Sequence, residues 1–166
     1  MIQIENFQVF PQCIGDWQGK WIALDPNGRE LYRFTSLLKQ RIIDNRWVQT
    51  NENSYSDGRQ EILHFEGTAV KQGTLLLESP DSPYDRFVML AEEQGDNLII
   101  ISVSERTTGL LLATETINLV SKIERIRTLQ QFKSTEGKLR GFTLVIEKKL
   151  ADGADERSRQ AGDNFP

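Results

Sequence analysis

The stretch DWQGKWIALDPNGRELYRFT, residues 16–35, decides the fold. Side chains alternate between the two faces of an extended chain, so Trp17, Gly19, Trp21 and Ala23 share one side of a first strand. Asp25-Pro26-Asn27-Gly28 then interrupts the pattern, and Asn-Gly supplies the positive φ values that a tight hairpin needs. Beyond it Leu31, Arg33 and Thr35 fall on one face and Tyr32 and Phe34 on the other. The segment reads as a β-hairpin with two indoles on its first strand.

The same logic extends along the chain. Residues 46–54 and 60–67 form a second hairpin around Asp57-Gly58, and further strands are expected at 74–78, 86–91, 97–104 and 109–116. The last pair falls near 124–132 and 139–149. Ile117, Val120, Ile123, Ile126 and Leu129 recur every three residues, which would suit a helix, but the neighbouring β-branched residues favour strand–turn–strand. Leu98 to Val103 is apolar on both faces apart from Ser102, so that strand is expected to be covered on both sides. Ahead of the strands, Ile4, Phe7 and Phe10 recur at a helical interval that Pro11 ends. The expected organisation is a helical lead-in over 1–15, an all-β unit over 16–150 and a disordered tail over 151–166, which holds no Val, Met or Ile. Short strands joined by consecutive hairpins favour an antiparallel up-and-down barrel, which leaves no edge exposed.

Composition narrows the chemistry. Of 166 residues, 38% are apolar and 27% charged, as in a globular protein, and the chain carries one Cys and one His. A lone Cys builds no disulfide framework, and a lone His no two-histidine metal site, so zinc, iron–sulfur and disulfide-stapled classes are excluded. Met1 to Phe10 holds Glu5 and no base, which is not a secretory signal, and no apolar run approaches a membrane span. The expected location is cytoplasmic. The net charge of −4 is unevenly placed, with a local +5 over 122–149 and a local −5 over 78–96. Two solvated strand faces of opposite sign account for this, and the sharper alternative is a cationic rim for an anionic ligand and an acidic rim for a partner. The basic segment lacks the interleaved aromatics of nucleic-acid binders. Cys13 and His64 have no third member that would make them a catalytic set, and phosphate-loop and dinucleotide motifs are absent.

Several strings converge on one family: I-E-N-F at 4–7, G-D-W-Q-G-K-W at 15–21, P-N-G-R-E-L at 26–31, E-R-I-R-T-L-Q-Q-F at 124–132 and G-K-L-R-G-F-T-L-V-I-E-K-K at 137–149. Together they resemble a lipocalin-like (calycin) family of unknown function found in cyanobacteria, distantly similar to phycobiliprotein lyases. The resemblance covers both ends of the 16–150 section. It implies a short helix, a Gly-x-Trp-x-Gly entry into the first strand, a Pro-x-Gly turn and a barrel whose closed end rests on the first indole, here Trp17. The characteristic internal motifs of the lyases are absent. Nitrobindin-type haem barrels are also similar but need a His late in the chain, whereas His64 lies in mid-chain.

A barrel of this size holds one small ligand. Trp21, Phe34, Trp47, Phe65 and Phe87 are candidate aromatic walls, and Gln49 and Asn51 share the face of Trp47. Arg33, Arg125, Arg127 and Arg140 are candidates to grip a carboxylate with two parallel donors. Arg33 shares its face with Leu31 and Leu37. Arg125 and Arg127 flank Ile126, which favours an outward cationic stripe; pointing inward they would need Glu147 or Glu115 as counter-ion. The expected function is a non-enzymatic barrel binding a small hydrophobic carboxylate, and the family context makes it bilin-like or fatty-acid-like. The expected ligand contacts are Trp21, Arg33, Trp47, Gln49, Phe65, Phe87 and Arg127, with no metal and no other cofactor. The alternatives are a phycobiliprotein chromophore lyase, or a chaperone-type assembly protein acting on a protein partner through its outer surface. The latter predicts a solid core and an exposed apolar patch near 78–96.

Overall fold

The computed structural model describes residues 1–151, so the tail expected over 151–166 lies outside the described residues apart from Ala151. Ten strands follow one another: β1 (Gly15–Leu24), β2 (Glu30–Ile43), β3 (Arg46–Tyr55), β4 (Gln60–Lys71), β5 (Thr74–Glu78), β6 (Phe87–Gln94), β7 (Leu98–Glu105), β8 (Leu111–Leu119), β9 (Glu124–Phe132) and β10 (Leu139–Lys149). Each pairs antiparallel with its neighbours in sequence, and β1 pairs with β10, which closes an up-and-down barrel of the lipocalin-like kind. Closure satisfies every strand edge within the sheet.

Turn chemistry sets the register. In the hairpins after β1 and β3 only the glycine carries positive φ, Gly28 at 82° and Gly58 at 84°. Each completes a three-residue loop, and Asp25 Oδ1 accepts from the backbone of Asn27 and Arg29 at 2.8 and 2.9 Å. The second strand runs to Ile43, well beyond residue 35 where the sequence pattern suggested an end. A two-residue turn stops it, with Asp44 at φ 50° and Asn45 at φ 59°, the left-handed pair that a tight hairpin needs.

The lead-in forms two 3-10 turns, Ile4–Asn6 and Phe10–Cys13, rather than a helix. Pro11 starts the second turn instead of ending the run, because a ring without an N–H is tolerated where the N–H has no partner. Ile4, Phe7, Val9 and Phe10 are buried against Trp17, Leu38, Trp47, Leu75 and Ile99, so the lead-in plugs one end of the barrel. Glu93 at the end of β6 latches it by accepting from the backbone N–H groups of Gln8, Val9 and Phe10.

Two expectations about burial are corrected. Strand β7 is covered on its inner side only, where Ile99 and Ile101 are buried; Ile100 faces out at 39% exposure. In β9 and β10 the hydrophobic alternation is inverted. Arg125, Arg127, Thr143, Val145 and Glu147 point inward, while Ile126 and Ile146, opposite one another in register, are 40% and 49% exposed. The outward arginine stripe is therefore overturned, because each guanidinium finds a buried carboxylate inside the barrel.

Candidate functional site

Above the plug the inward side chains do not meet across the barrel. Ten strands enclose a wider interior than eight, and a cavity of about 830 Å³ remains. Its lower wall is Phe65, Leu77, Met89, Ile101, Ile117 and Trp21. Upward it reaches Pro83, Tyr84 and Arg86 before β6 and Lys133, Ser134 and Thr135 after β9, at the end opposite the plug. Tyr84 packs edge-on against Phe65 and Phe87, with ring centroids 5.4 and 5.8 Å apart, which fixes that side of the mouth.

The opposite wall is polar and almost fully self-satisfied. Arg127 directs Nε and Nη2 at Glu115 Oε1, both at 2.6 Å, and reaches Glu147 Oε1 with Nη1 at 3.4 Å. Glu147 also accepts from Arg125 Nε, and both of these side chains are wholly buried. Arg125 Nη1 donates to Gln40 at 2.8 Å, Gln40 to Gln49 at 2.7 Å, and Gln49 to Asn51 at 2.8 Å. The chain of bonds thus leaves the cavity wall at Arg127, runs beneath it and returns at Gln49 and Asn51. Arg125 lies over the Trp17 ring at 4.1 Å and Arg127 over Trp21 at 5.1 Å, so each indole supports a buried cation.

Charge balance makes this burial tolerable, since two guanidinium groups face two carboxylates. Burial alone would raise the Glu147 carboxyl, but the charges and hydrogen bonds of Arg125 and Arg127 outweigh it and hold the group below its ordinary value. Burial opposes the charge on Arg127 likewise, and Glu115 and Glu147 overcome it, keeping the guanidinium charged. Gly19 makes room for the arrangement: a Cβ there would sit 2.8 Å from Ser36 Oγ, which receives the Trp21 Nε1 hydrogen bond at 2.6 Å.

Of the residues expected to contact a ligand, Trp21, Gln49, Phe65, Phe87 and Arg127 line this cavity. Trp47 does not; it lies lower, 2% exposed, with its ring edge against Phe10 at 5.6 Å. Arg33 is corrected outright. Phe34 pairs with Trp21 in register and faces in with Ser36 and Leu38, so the odd-numbered residues of this part of β2 face out. The Arg33 side chain is 66% exposed and paired with Glu30. Leu77, Met89, Tyr84 and Arg86 were not singled out from the sequence, although Arg86 is conspicuous there as the one base within 78–96.

Cys13 and His64 are not brought together. Cys13 is buried in the plug, where burial pushes its thiol up, and His64 is exposed on β4 beside Asp81. Four of the six acids of 78–96 are engaged: Glu78 pairs with Arg106, Asp81 with His64 and Glu92 with Lys71, and Glu93 holds the plug. Among the described residues no cluster of three or more His, Cys, Asp or Glu is placed to hold a metal ion, and no helix is long and apolar enough to cross a membrane.

A closed antiparallel barrel, plugged at one end and hollow at the other, defines the class as lipocalin-like. The chain belongs to the family described as Domain of unknown function (DUF3598), N-terminal, whose model matches residues 3–152. Among solved structures it is similar to a protein of unknown function from the DUF3598 family of Nostoc punctiforme, with 18% identity and a TM-score of 0.60 over 85% of this chain. The chain spans 49% of the length of that relative. It is also similar to the S-type phycobiliprotein lyase CPES of Guillardia theta, with 13% identity, a TM-score of 0.63 and coverage of 90% and 94% of the two chains. A third likeness is Rv2717c of M. tuberculosis, with 12% identity, a TM-score of 0.58 and coverage of 84% and 94%. At these identities the likeness is one of fold. Among curated proteins none matches the chain.

Proposed function

We propose that this protein is a non-enzymatic, cytoplasmic barrel that binds one small, largely apolar ligand carrying a carboxylate, bilin-like or fatty-acid-like in shape. The observation that carries the reading is the open interior: about 830 Å³, within the ~300–1,000 Å³ range of small-molecule sites, with apolar walls and a few fixed polar groups. The interior is formed before any ligand arrives, because the polar wall is locked by its own bonds and the plug by Glu93. Likeness in fold to a phycobiliprotein lyase supports the bilin-like form of the reading. The test is a titration with biliverdin and with long-chain fatty acids, read by tryptophan fluorescence through Trp21 in the cavity wall. Saturable quenching by at least one of them supports the reading, and no response to any of them overturns it.

A second reading, chromophore lyase or assembly protein acting through its outer surface, draws on one observation. Ile126 and Ile146 form an exposed apolar pair on the outside of β9 and β10, away from the acidic 78–96 stretch. The lyase requires a bound partner as well as a ligand, and transfer of a pigment to an acceptor protein is its test; the assembly protein requires the partner and a solid core, which the cavity does not favour.

A further inference from the structure

The charges along the cavity are not where a buried arginine clamp for a carboxylate would put them. At the floor Arg127 spends Nε, Nη1 and Nη2 on Glu115 and Glu147. A ligand carboxylate placed there would meet two carboxylates already present. The group left over at the floor is an acceptor: both Arg127 bonds to Glu115 end on Oε1, and among the described residues Oε2 receives none, although Glu115 lines the cavity. The rim is the reverse. Arg86, Lys133 and Arg140 line the mouth, are exposed, and have no ion-pair or hydrogen-bond partner for their side chains among the described residues. The acid at the rim, Glu105, is engaged by Thr107 and by the backbone N–H of Thr108.

Resting on the reading of this cavity as a ligand site, we propose that the ligand enters with its polarity fixed. Its anionic end is held at the mouth by Arg86, Lys133 and Arg140, its apolar body lies along Phe65, Met89 and Ile101, and a hydrogen-bond donor at its inner end meets Glu115. The ligand class is an elongated apolar acid with an N–H or O–H group at the end remote from the acid. A charge at the rim keeps most of its hydration, so it is held without the desolvation that a buried ion would suffer. At the floor a donor reaching Glu115 gains a charge-assisted hydrogen bond, whereas a methyl end displaces water from the oxygen and gives it no partner in return. Leu129 on β9 stands across from Glu115 and from Thr143 on β10, and Thr143 lies three residues from Arg140, roughly 10 Å along the strand, which sets the backbone span between the two polar ends.

Three probes of one chain length separate the parts: dodecanoate, dodecanol and ω-hydroxydodecanoate, titrated calorimetrically into the full chain and into the R86A/K133A/R140A variant. Their side chains are exposed at the mouth, so the variant keeps the barrel. The expected order in the unmodified protein is ω-hydroxydodecanoate tightest, by about fivefold or more over dodecanoate and about tenfold over dodecanol, each of which satisfies one end only. The variant is expected to lose about tenfold for both acids, to leave dodecanol unchanged, and to show a flatter salt dependence. Dodecanol binding as tightly as ω-hydroxydodecanoate, or acids indifferent to the rim variant, overturns the orientation while leaving the cavity as a binding site. Equal affinity for dodecanoate and its ω-hydroxy form overturns the role of Glu115. Failure of all three probes, together with biliverdin and long fatty acids, overturns the cavity reading itself.

Discussion

Replacing Glu147 by Gln would expose how much of the fold rests on the buried ion network. Glu147 accepts from both Arg125 and Arg127, and neither its own side chain nor that of Arg125 has any solvent contact. The substitution keeps shape and removes one negative charge, leaving two buried guanidinium groups to share Glu115. Breaking a buried pair in this way costs about 3–5 kcal/mol, a large part of the ~5–15 kcal/mol that holds a domain together. At about 2–4 °C per kcal/mol for a chain of this length, the midpoint should fall by roughly 6–20 °C. Urea unfolding followed by tryptophan fluorescence reads the loss directly. The pH dependence has a defined sign: the folded carboxyl lies below its ordinary value of 4.5, so its stabilisation is complete above that value and fades as pH falls through it. E147Q should therefore show a shallower acid limb than the unmodified protein. Removing both partners as R125M/E147L leaves Arg127 and Glu115 as a neutral pair, and should return stability to within about 1 kcal/mol of the unmodified protein. A loss below about 1 kcal/mol for E147Q, or a double variant less stable than the single one, would mean that the buried network does not hold the fold.

The plug, the indole contact and the alkaline limb give three further expectations. Glu93→Ala removes the acceptor of three backbone N–H groups; it should cost about 1.5–3 kcal/mol and speed hydrogen exchange at Gln8–Phe10 more than in β8, and uniform exchange would argue against a latch. Gly19→Ala places a Cβ against Ser36 Oγ and should destabilise by about 1–3 kcal/mol in thermal melts; no change would mean that the Trp21–Ser36 contact is loose. Tyr55 is pushed up to about 12 by burial and by its hydrogen bond to Glu61. Its neutral form therefore stabilises the fold fully below pH 10, and that contribution is lost as pH rises through about 12. Phenolate absorbance should show the late titration vanish in Y55F.

Local rules carried the fold a long way. The bounds of β9 and β10 follow from alternation and the Ser134–Gly137 break, and Gly28 and Gly58 sit where the left-handed conformation is needed. What alternation could not give was facing, wherever the inner wall is polar. In β9 the pattern Arg125-Ile126-Arg127 reads as a surface with Ile126 inward, because the cost of a buried charge is visible in sequence and its partner is not. The partner comes from register: Arg125 stands directly across from Glu147, and Glu115 lies on the next strand over. Arg33 failed for the related reason that Leu31 and Leu37 flank it, yet both lie on the outward row. The aromatic lining was easier to read, since Trp21, Phe65 and Phe87 each sit on the apolar side of their strands. The rim was harder, because Arg86 before β6, Lys133 after β9 and Arg140 at the start of β10 are brought to one mouth only by the barrel.

The proposed function requires that the hollow upper half of the barrel take a ligand. Trp21 is the indole lining the large cavity, and Ala113 on β8 lines the same space with room above its methyl group. Fluorescence titration with biliverdin, run in parallel on the unmodified protein and on Ala113→Phe, reads whether that space is occupied. Saturable one-to-one quenching is expected, becoming at least about tenfold weaker when the phenyl ring occupies the cavity. Quenching that never saturates, or that is identical in the two proteins, would place the ligand elsewhere and contradict the proposed function.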